Sequence, residues 1–122
     1  MPQFAAVTWK VKPGYEAELA ELFANYKRPD SFIVRDAQGA EVGKVMATAV
    51  FMKDDTIVRV IQFEGPLDEV LRHMSRQQGV RELEDAVDKY LVEPRDTTSP
   101  EGFRQFFQRS SMRCLVQRFA DV

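Results

Sequence analysis

The sequence predicts an α+β sandwich in which one antiparallel sheet carries helices on a single face. Three observations lead there. Runs rich in β-branched and aromatic residues at 3–11, 42–52 and 56–64 read as strands. Apolar residues recur at helical spacing in separate segments, around Leu19 and again from Leu67 to Leu91. The resulting order, strand, helix, strand, strand, helix pair, short helix, strand, is that of a split βαβ unit, which makes a ferredoxin-like sandwich with a four-stranded sheet the expected architecture.

The elements follow in order. In "QFAAVTWKV" (3–11), Phe4, Val7, Trp9 and Val11 give the first strand, and "KPG" stops it. From Tyr15, Leu19, Leu22, Phe23 and Tyr26 line one helical face while Glu16, Glu18 and Glu21 occupy the other, so a helix is expected to about Lys27. Residues 28–40 hold the turn sequences "RPD" and "DAQG" around Phe32 to Val34, which suggests a loop with a minor edge strand or hairpin. Residues 42–52 and 56–64 flank "KDD" as an antiparallel hairpin at the centre of the sheet. After "EGP", Leu67, Val70, Leu71 and Met74 mark a helix that Gly79 is expected to interrupt before Val80, Leu83, Val87, Tyr90 and Leu91 mark the next. The polar "EPRDTTSP" loop leads to a short helix opened by Ser99-Pro100, and residues 111–119 read as a closing strand.

By simple alternation Val45, Ala47, Ala49 and Phe51 face away from Met46, Thr48, Val50 and Met52, so neither face of that strand is polar. A sheet this small with two apolar faces must cover the second one. A homodimer packed sheet to sheet, a dimeric α+β barrel, is therefore expected.

With 122 residues, 44% hydrophobic and 30% charged, the chain reads as a single ordinary domain over residues 1–122. No apolar run approaches the ~20 residues of a membrane span, and "MPQFAAVTWKV" lacks the pattern of a secretory signal. A cytoplasmic protein with no membrane partner is expected. One cysteine, Cys114, forms neither a disulfide nor a zinc site by itself, so no metal is expected. A net charge of −2 argues against nucleic acid as a partner. The cations are skewed to 11 Arg against 6 Lys, which favours planar, oxygen-rich anions as ligands, although solvated surface charge explains the same skew.

Within "TIVRVIQFEG" (56–65), alternation places Arg59 on one face with Ile57, Ile61 and Phe63. A desolvated guanidinium needs a carboxylate partner, a solvent-exposed edge, or a cavity that receives an anion. The expectation here is that Arg59 borders a cavity on the helix-covered side, paired with an acidic residue when the cavity is empty. His73, the one histidine, falls at the border of an apolar helical stripe, where it is either inert or a general acid or base at a pocket rim. Trp9, Tyr15, Tyr26, Phe103, Phe106 and Phe107 would line an aromatic volume. Three phenylalanines within five positions exceed one stripe of a short helix, which suggests a flap over a pocket or a dimer contact. Alternation in the closing strand groups Arg113 with Leu115, Gln117 and Phe119, and sends Cys114 to the other face as a small apolar group without nucleophilic work. The candidate catalytic pair is thus His73 and Arg59, with Trp9, Arg113, Phe103, Phe106 and Phe107 as candidate substrate contacts. No Walker loop, GxGxxG, GxSxG, HExxH or CxxC occurs, and no cofactor is expected.

The segments "KVKPG" (10–14), "ATAVFMKDD" (47–55), "VRVIQFEG" (58–65), "RHMSRQQGV" (72–80) and "EPRDTTSPEGFRQFF" (93–107) with "SMRC" (111–114) resemble the SchA/CurD-like family, in that order along nearly the whole chain. The late "EPRDTTSPEGF" stretch is the most specific part. The resemblance implies a role beside bacterial type II polyketide synthases that make aromatic polyphenols such as spore pigments and antibiotics. It implies the tailoring of a small-molecule aromatic polyketide, by a cofactor-independent monooxygenase or by a polyketide cyclase of the same fold. A non-catalytic dimeric binding protein of the pathway is the third reading. The family supplies no set of site residues to carry over, so the candidates above rest on physical reasoning alone.

Overall fold

A computed structural model describes residues 2–25, 31–95 and 99–120. In chain order these form β1 (Gln3–Lys10), α1 (Glu16–Ala24), β2 (Ile33–Arg35), β3 (Glu41–Lys53), β4 (Thr56–Glu64), α2 (Leu67–Arg76), α3 (Gln78–Asp88), α4 (Pro100–Ser110) and β5 (Ser111–Met112). Among the described residues the architecture is α+β, with one open antiparallel sheet of five strands in the order β2-β3-β4-β1-β5 and four helices. The sheet has one strand more than the four expected, because the short apolar piece after "RPD" pairs with β3 through Ile33 and Val34. Asp36 closes the turn behind it, its carboxylate accepting from the backbone N–H groups of Gln38 and Ala40.

β4 alternates as the sequence requires: Ile57, Arg59, Ile61 and Phe63 are buried, and Val58, Val60, Gln62 and Glu64 are half-buried on the other face. β3 departs from simple alternation. Val45 lies opposite Phe63 but Ala47 lies opposite Gln62, so a bulge at Met46 shifts the register by one residue. Val45 therefore joins Thr48, Val50 and Met52 on the helix-covered face, while Ala47, Ala49 and Phe51 take the other. The expected grouping of Val45 with Ala47 is corrected by that one inserted residue.

Two apolar clusters hold the helices to the sheet. One joins Val7, Val45, Ile61 and Phe63 to Val70, Leu71 and Met74 of α2 and to Phe103 and Phe107 of α4. The other joins Val11 and Ile57 to Leu19 of α1, Leu83 and Val87 of α3, and Leu91. Trp9 packs against both. On β4 the boundary between them falls between Ile57 and Ile61, at Arg59, so a charged side chain divides the core.

Two further expectations change, the α2–α3 break and the closing strand. The α2–α3 break falls at Gln77, whose ψ of 127° leaves the helical region, and Gly79 is buried inside α3. The first helix is described to Ala24 with Asn25 as its C-cap; its expected end, with Tyr26 and Lys27, lies outside the described residues. The closing strand is two residues long, pairing Ala6 with Met112 and Val7 with Ser111. Beyond it the ladder is replaced by side chains: Phe4 N–H donates to Oε1 of Gln117 at 2.9 Å, and the Phe4 and Phe119 rings stack 5.5 Å apart. Arg113, Cys114, Leu115 and Val116 are exposed along this stretch, so the alternation assigned to Arg113 and the packing assigned to Cys114 do not hold. Among the described residues no helix is long and apolar enough to cross a membrane.

Candidate functional site

Arg59 reaches its site because β4 is central. Its register partners, Val7 on β1 and Val50 on β3, flank it on both sides and exclude an escape to a sheet edge. Burial requires an anion, and α3 supplies one: Nη1 of Arg59 donates to Oε1 of Glu84 at 3.1 Å, with the side chains 5% and 6% exposed. The other oxygen of Glu84 pairs with Nη2 of Arg95. Arg95, 1% exposed, also donates from Nε to Oδ1 of Asp88 at 2.9 Å and from Nη2 to the Glu84 backbone carbonyl. The result is a buried relay, Arg59–Glu84–Arg95–Asp88, whose last member is partly open to solvent.

Among the described residues, three buried N–H groups on or beside this relay have no partner: Nε of Arg59, Nη1 of Arg95 and Nε1 of Trp9. Native interiors leave few such donors, and each costs about 1–3 kcal/mol unless something accepts from it.

His73, on α2, lies on the other side of Arg59. Its Nε2 is 2.7 Å from the Ser31 carbonyl oxygen, which can only accept, so Nε2 carries the proton and Nδ1 is left to accept one. Gln77 ties down the same corner, accepting from Ser31 N–H and donating to the His73 carbonyl. Arg59, His73, Thr48 and Gln77 share a nook of about 10 Å³, the size of one water.

Thr48 also borders a larger chamber of about 440 Å³ between α1 and the sheet, walled by Leu19, Phe23, Val50, Met52 and Ile57. That volume falls within the range of small-molecule sites, about 300–1,000 Å³. A second cleft of about 330 Å³ runs along the β1 edge, with Trp9, Phe106 and Arg109 among its walls. A third hollow of about 500 Å³ is lined by Glu18, Glu21 and Glu82, which suits an acidic ligand poorly.

The sequence candidates thus separate into groups. Arg59 and His73 meet at the nook. Trp9 and Phe106 meet at the β1-edge cleft, rings 6.0 Å apart and edge to face, and Arg95 links them to Arg59 through Glu84. Phe103 and Phe107 fill the core under α2, so the three phenylalanines wedge α4 against both α2 and β1. Arg113 makes no ion pair among the described residues. Tyr15 packs on Tyr90, away from this wall, and Tyr26 lies outside the described residues. Among the described residues no group of three or more His, Cys, Asp or Glu could hold a metal ion.

Sequence reasoning missed Glu84 and Arg95. Glu84 was findable: it occupies the apolar stripe Val80, Leu83, Val87, Leu91 at helical spacing, and an acid there needs a buried cation. Arg95 sits in a polar loop and carries no such mark.

The family model described as "SchA/CurD like domain" matches residues 2–120. The chain is 39% identical over 107 residues to the 42.8 kDa protein in whiE locus of Streptomyces coelicolor, covering 88% of this chain and 25% of that protein. It is 37% identical to Polyketide synthase CurD of Streptomyces cyaneus and 31% identical to Protein SchA of Streptomyces halstedii, in each case over 88% of this chain and 28% and 27% of the relative. The chain therefore spans about a quarter of the length of the curated relatives it matches. No solved structure matches it.

Proposed function

Because the chain belongs to the SchA/CurD like domain family, associated with polyketide biosynthesis, we propose that it tailors an aromatic polyketide as a cofactor-independent monooxygenase. The observation that carries this reading is the adjacency of an apolar chamber to a nook holding a buried guanidinium and an imidazole, joined at Thr48. A flat polyphenol would occupy the chamber with one hydroxyl toward the nook. Nδ1 of His73 would take the phenolic proton, and Arg59 would stabilise the phenolate in a low-dielectric site. The electron-rich phenolate reduces O2 by one electron, and the resulting radicals join in a carbon–oxygen bond. Loss of water from the peroxide leaves a quinone, so that one phenol with a free ring C–H and one O2 give one quinone and one H2O.

The same constellation would stabilise the enolate of a cyclase, and oxygen separates the two. Anaerobic incubation with a cyclised polyphenol stops turnover under the monooxygenase reading. Unchanged anaerobic conversion of an uncyclised poly-β-ketone, with no O2 consumed, would favour the cyclase. A variant carrying both His73→Ala and Arg59→Met that still supports product formation in a reconstituted pathway would favour the non-catalytic binding protein.

The order β3-β4-β1-β5 with helices on one face supports the ferredoxin-like reading, with β2 as an added edge. Its other face presents Ala47, Ala49, Val58, Val60 and Phe51, the last 61% exposed. Leu115 and Val116, 80% and 65% exposed, extend beyond β5 as an arm that a second copy would cover. This supports a homodimer packed sheet to sheet. Light scattering would find a dimer, and Phe51→Glu would give a folded monomer; a monomeric wild type overturns it.

A further inference from the structure

We propose that the arm at residues 113–119 is exchanged between two copies of this chain, so that Gln117 and Phe119 of one copy dock on Pro2 and Phe4 of the other. The inference rests on the homodimer reading and adds where each copy holds its partner.

The edge of β1 shows what fits it. Past the two residue pairs of the β1–β5 ladder, Oε1 of Gln117 accepts from Phe4 N–H at 2.9 Å and Nε2 donates to the Pro2 carbonyl at 3.4 Å. One side-chain amide thus serves a donor and an acceptor that an adjacent strand would otherwise pair. The Phe119 ring covers the spot by stacking on Phe4, with centroids 5.5 Å apart and 9° between the planes. Both hydrogen bonds are open to water, so they hold the folded-back arm weakly.

The path to this spot contains surplus chain. Met112 lies opposite Ala6, so continuing the antiparallel register would put Cys114 opposite Phe4, yet Gln117, three residues later, binds there. The residues between them loop out. Nothing in "RCLVQRF" (113–119) forbids a ladder, since it has neither proline nor glycine, and the loop leaves Leu115 80% and Val116 65% exposed. Folding back therefore forgoes ladder bonds and the burial of two large apolar side chains together. Extended, residues 113–116 span about 13 Å, more than the ~10 Å between two sheets packed face to face. The surplus lets the arm cross to a second copy. There Gln117 and Phe119 make the same contacts between chains, at low cost because the docking edge is identical, and Leu115 and Val116 are covered at the crossing.

The test unfolds isotope-labelled and unlabelled chains in urea, mixes them, refolds them with Cys114 kept reduced, and records isotope-filtered NMR spectra. The expected result is a Phe4–Phe119 contact between a labelled chain and an unlabelled one. A second measurement mixes Phe4→Ala with Phe119→Ala. Phe4 is 39% exposed and Phe119 lies beyond the last strand, so both variants should keep the fold. If the rings pair between copies, each variant alone lacks both pairs while the mixed dimer keeps one. Each variant alone should then dissociate at least ten-fold more readily than wild type, and the mixed dimer should exceed the share that random pairing gives. A dimer whose Phe4–Phe119 contact stays within one chain, or a mixed dimer at the random share, overturns the exchange and leaves sheet-to-sheet packing standing. A monomeric wild type overturns both. Exchanged arms in a dimer that Phe51→Glu leaves assembled would uphold the exchange and remove the sheet packing alone.

Discussion

Arg59 and Glu84 hold each other 3.1 Å apart in the middle of the core, and Glu84 holds Arg95 on its other oxygen. One carboxylate thus bridges two buried guanidiniums, with Asp88 as the second acid on Arg95, and the three positions are not equivalent. Replacing Glu84 by Gln leaves two buried cations opposed only by the partly exposed Asp88. Replacing Arg59 by Met removes one cation and leaves Glu84 paired with Arg95. Breaking a buried pair from one side costs about 3–5 kcal/mol, so Glu84→Gln should fall in that range. Arg59→Met should cost less. Urea denaturation of the two variants checks the order; an Arg59→Met loss equal to that of Glu84→Gln would show that the relay does not share its charge as the geometry implies.

The approach of β3 to the end of β4 depends on having no side chains there. A Cβ on Gly65 would collide with the carbonyl oxygen of Val42, and one on Gly43 with that of Glu64; Gly65 also has φ of 101°. Gly14, with φ of 92°, has nothing within 4 Å. Gly14→Ala should therefore cost about 1 kcal/mol in backbone strain. Gly65→Ala should cost at least about 2 kcal/mol more, because the strand end must also move. Thermal unfolding of both variants decides whether contact or conformation dominates.

At the tip of the β3–β4 hairpin, the hydrogen bond from Lys10 and its positive charge hold the Asp55 carboxyl below its ordinary value. A carboxyl lowered in the folded state adds stability above its unfolded pKa and loses it as pH falls through the folded one. Lys10→Met should thus lower the melting temperature at neutral pH. The gap between variant and wild type should close at acid pH, once Asp55 is protonated in both states. A gap that persists in acid would assign the effect to the packing of the lysine stem.

The parts of the fold that could be read from the sequence are those where periodicity and burial agree. β4 alternates cleanly because both of its neighbours are strands, and its arginine announced a buried partner before any partner was known. The bulge at Met46 was illegible because neither face of β3 is polar, so nothing in the pattern marks where alternation slips. The end of β5 was illegible for a related reason. Residues 113–119 have strand-like composition, but a side-chain hydrogen bond from Phe4 N–H to Gln117 and ring stacking of Phe4 on Phe119 hold the segment without a ladder. At the site, single residues were legible and their grouping was not. Arg59 and Trp9 lie on adjacent strands in nearby register, yet they face two cavities, because Glu84 and Arg95 fill the space between them.

His73 offers the most direct functional test. Nε2 is committed to the Ser31 carbonyl, which orients the ring and leaves Nδ1 as the group that can take a proton. A Gln at position 73 preserves a donor to Ser31 but has no comparable base. If the imidazole removes the phenolic proton, His73→Gln should lower kcat by about 10²–10⁴-fold while substrate affinity stays within a few-fold. Its rate should recover with substrates whose phenol is already ionised in solution, because the missing step is then done in advance. A variant that loses affinity and rate together, with no recovery on ionised substrates, would assign His73 to holding residue 31 and the α2 corner in place.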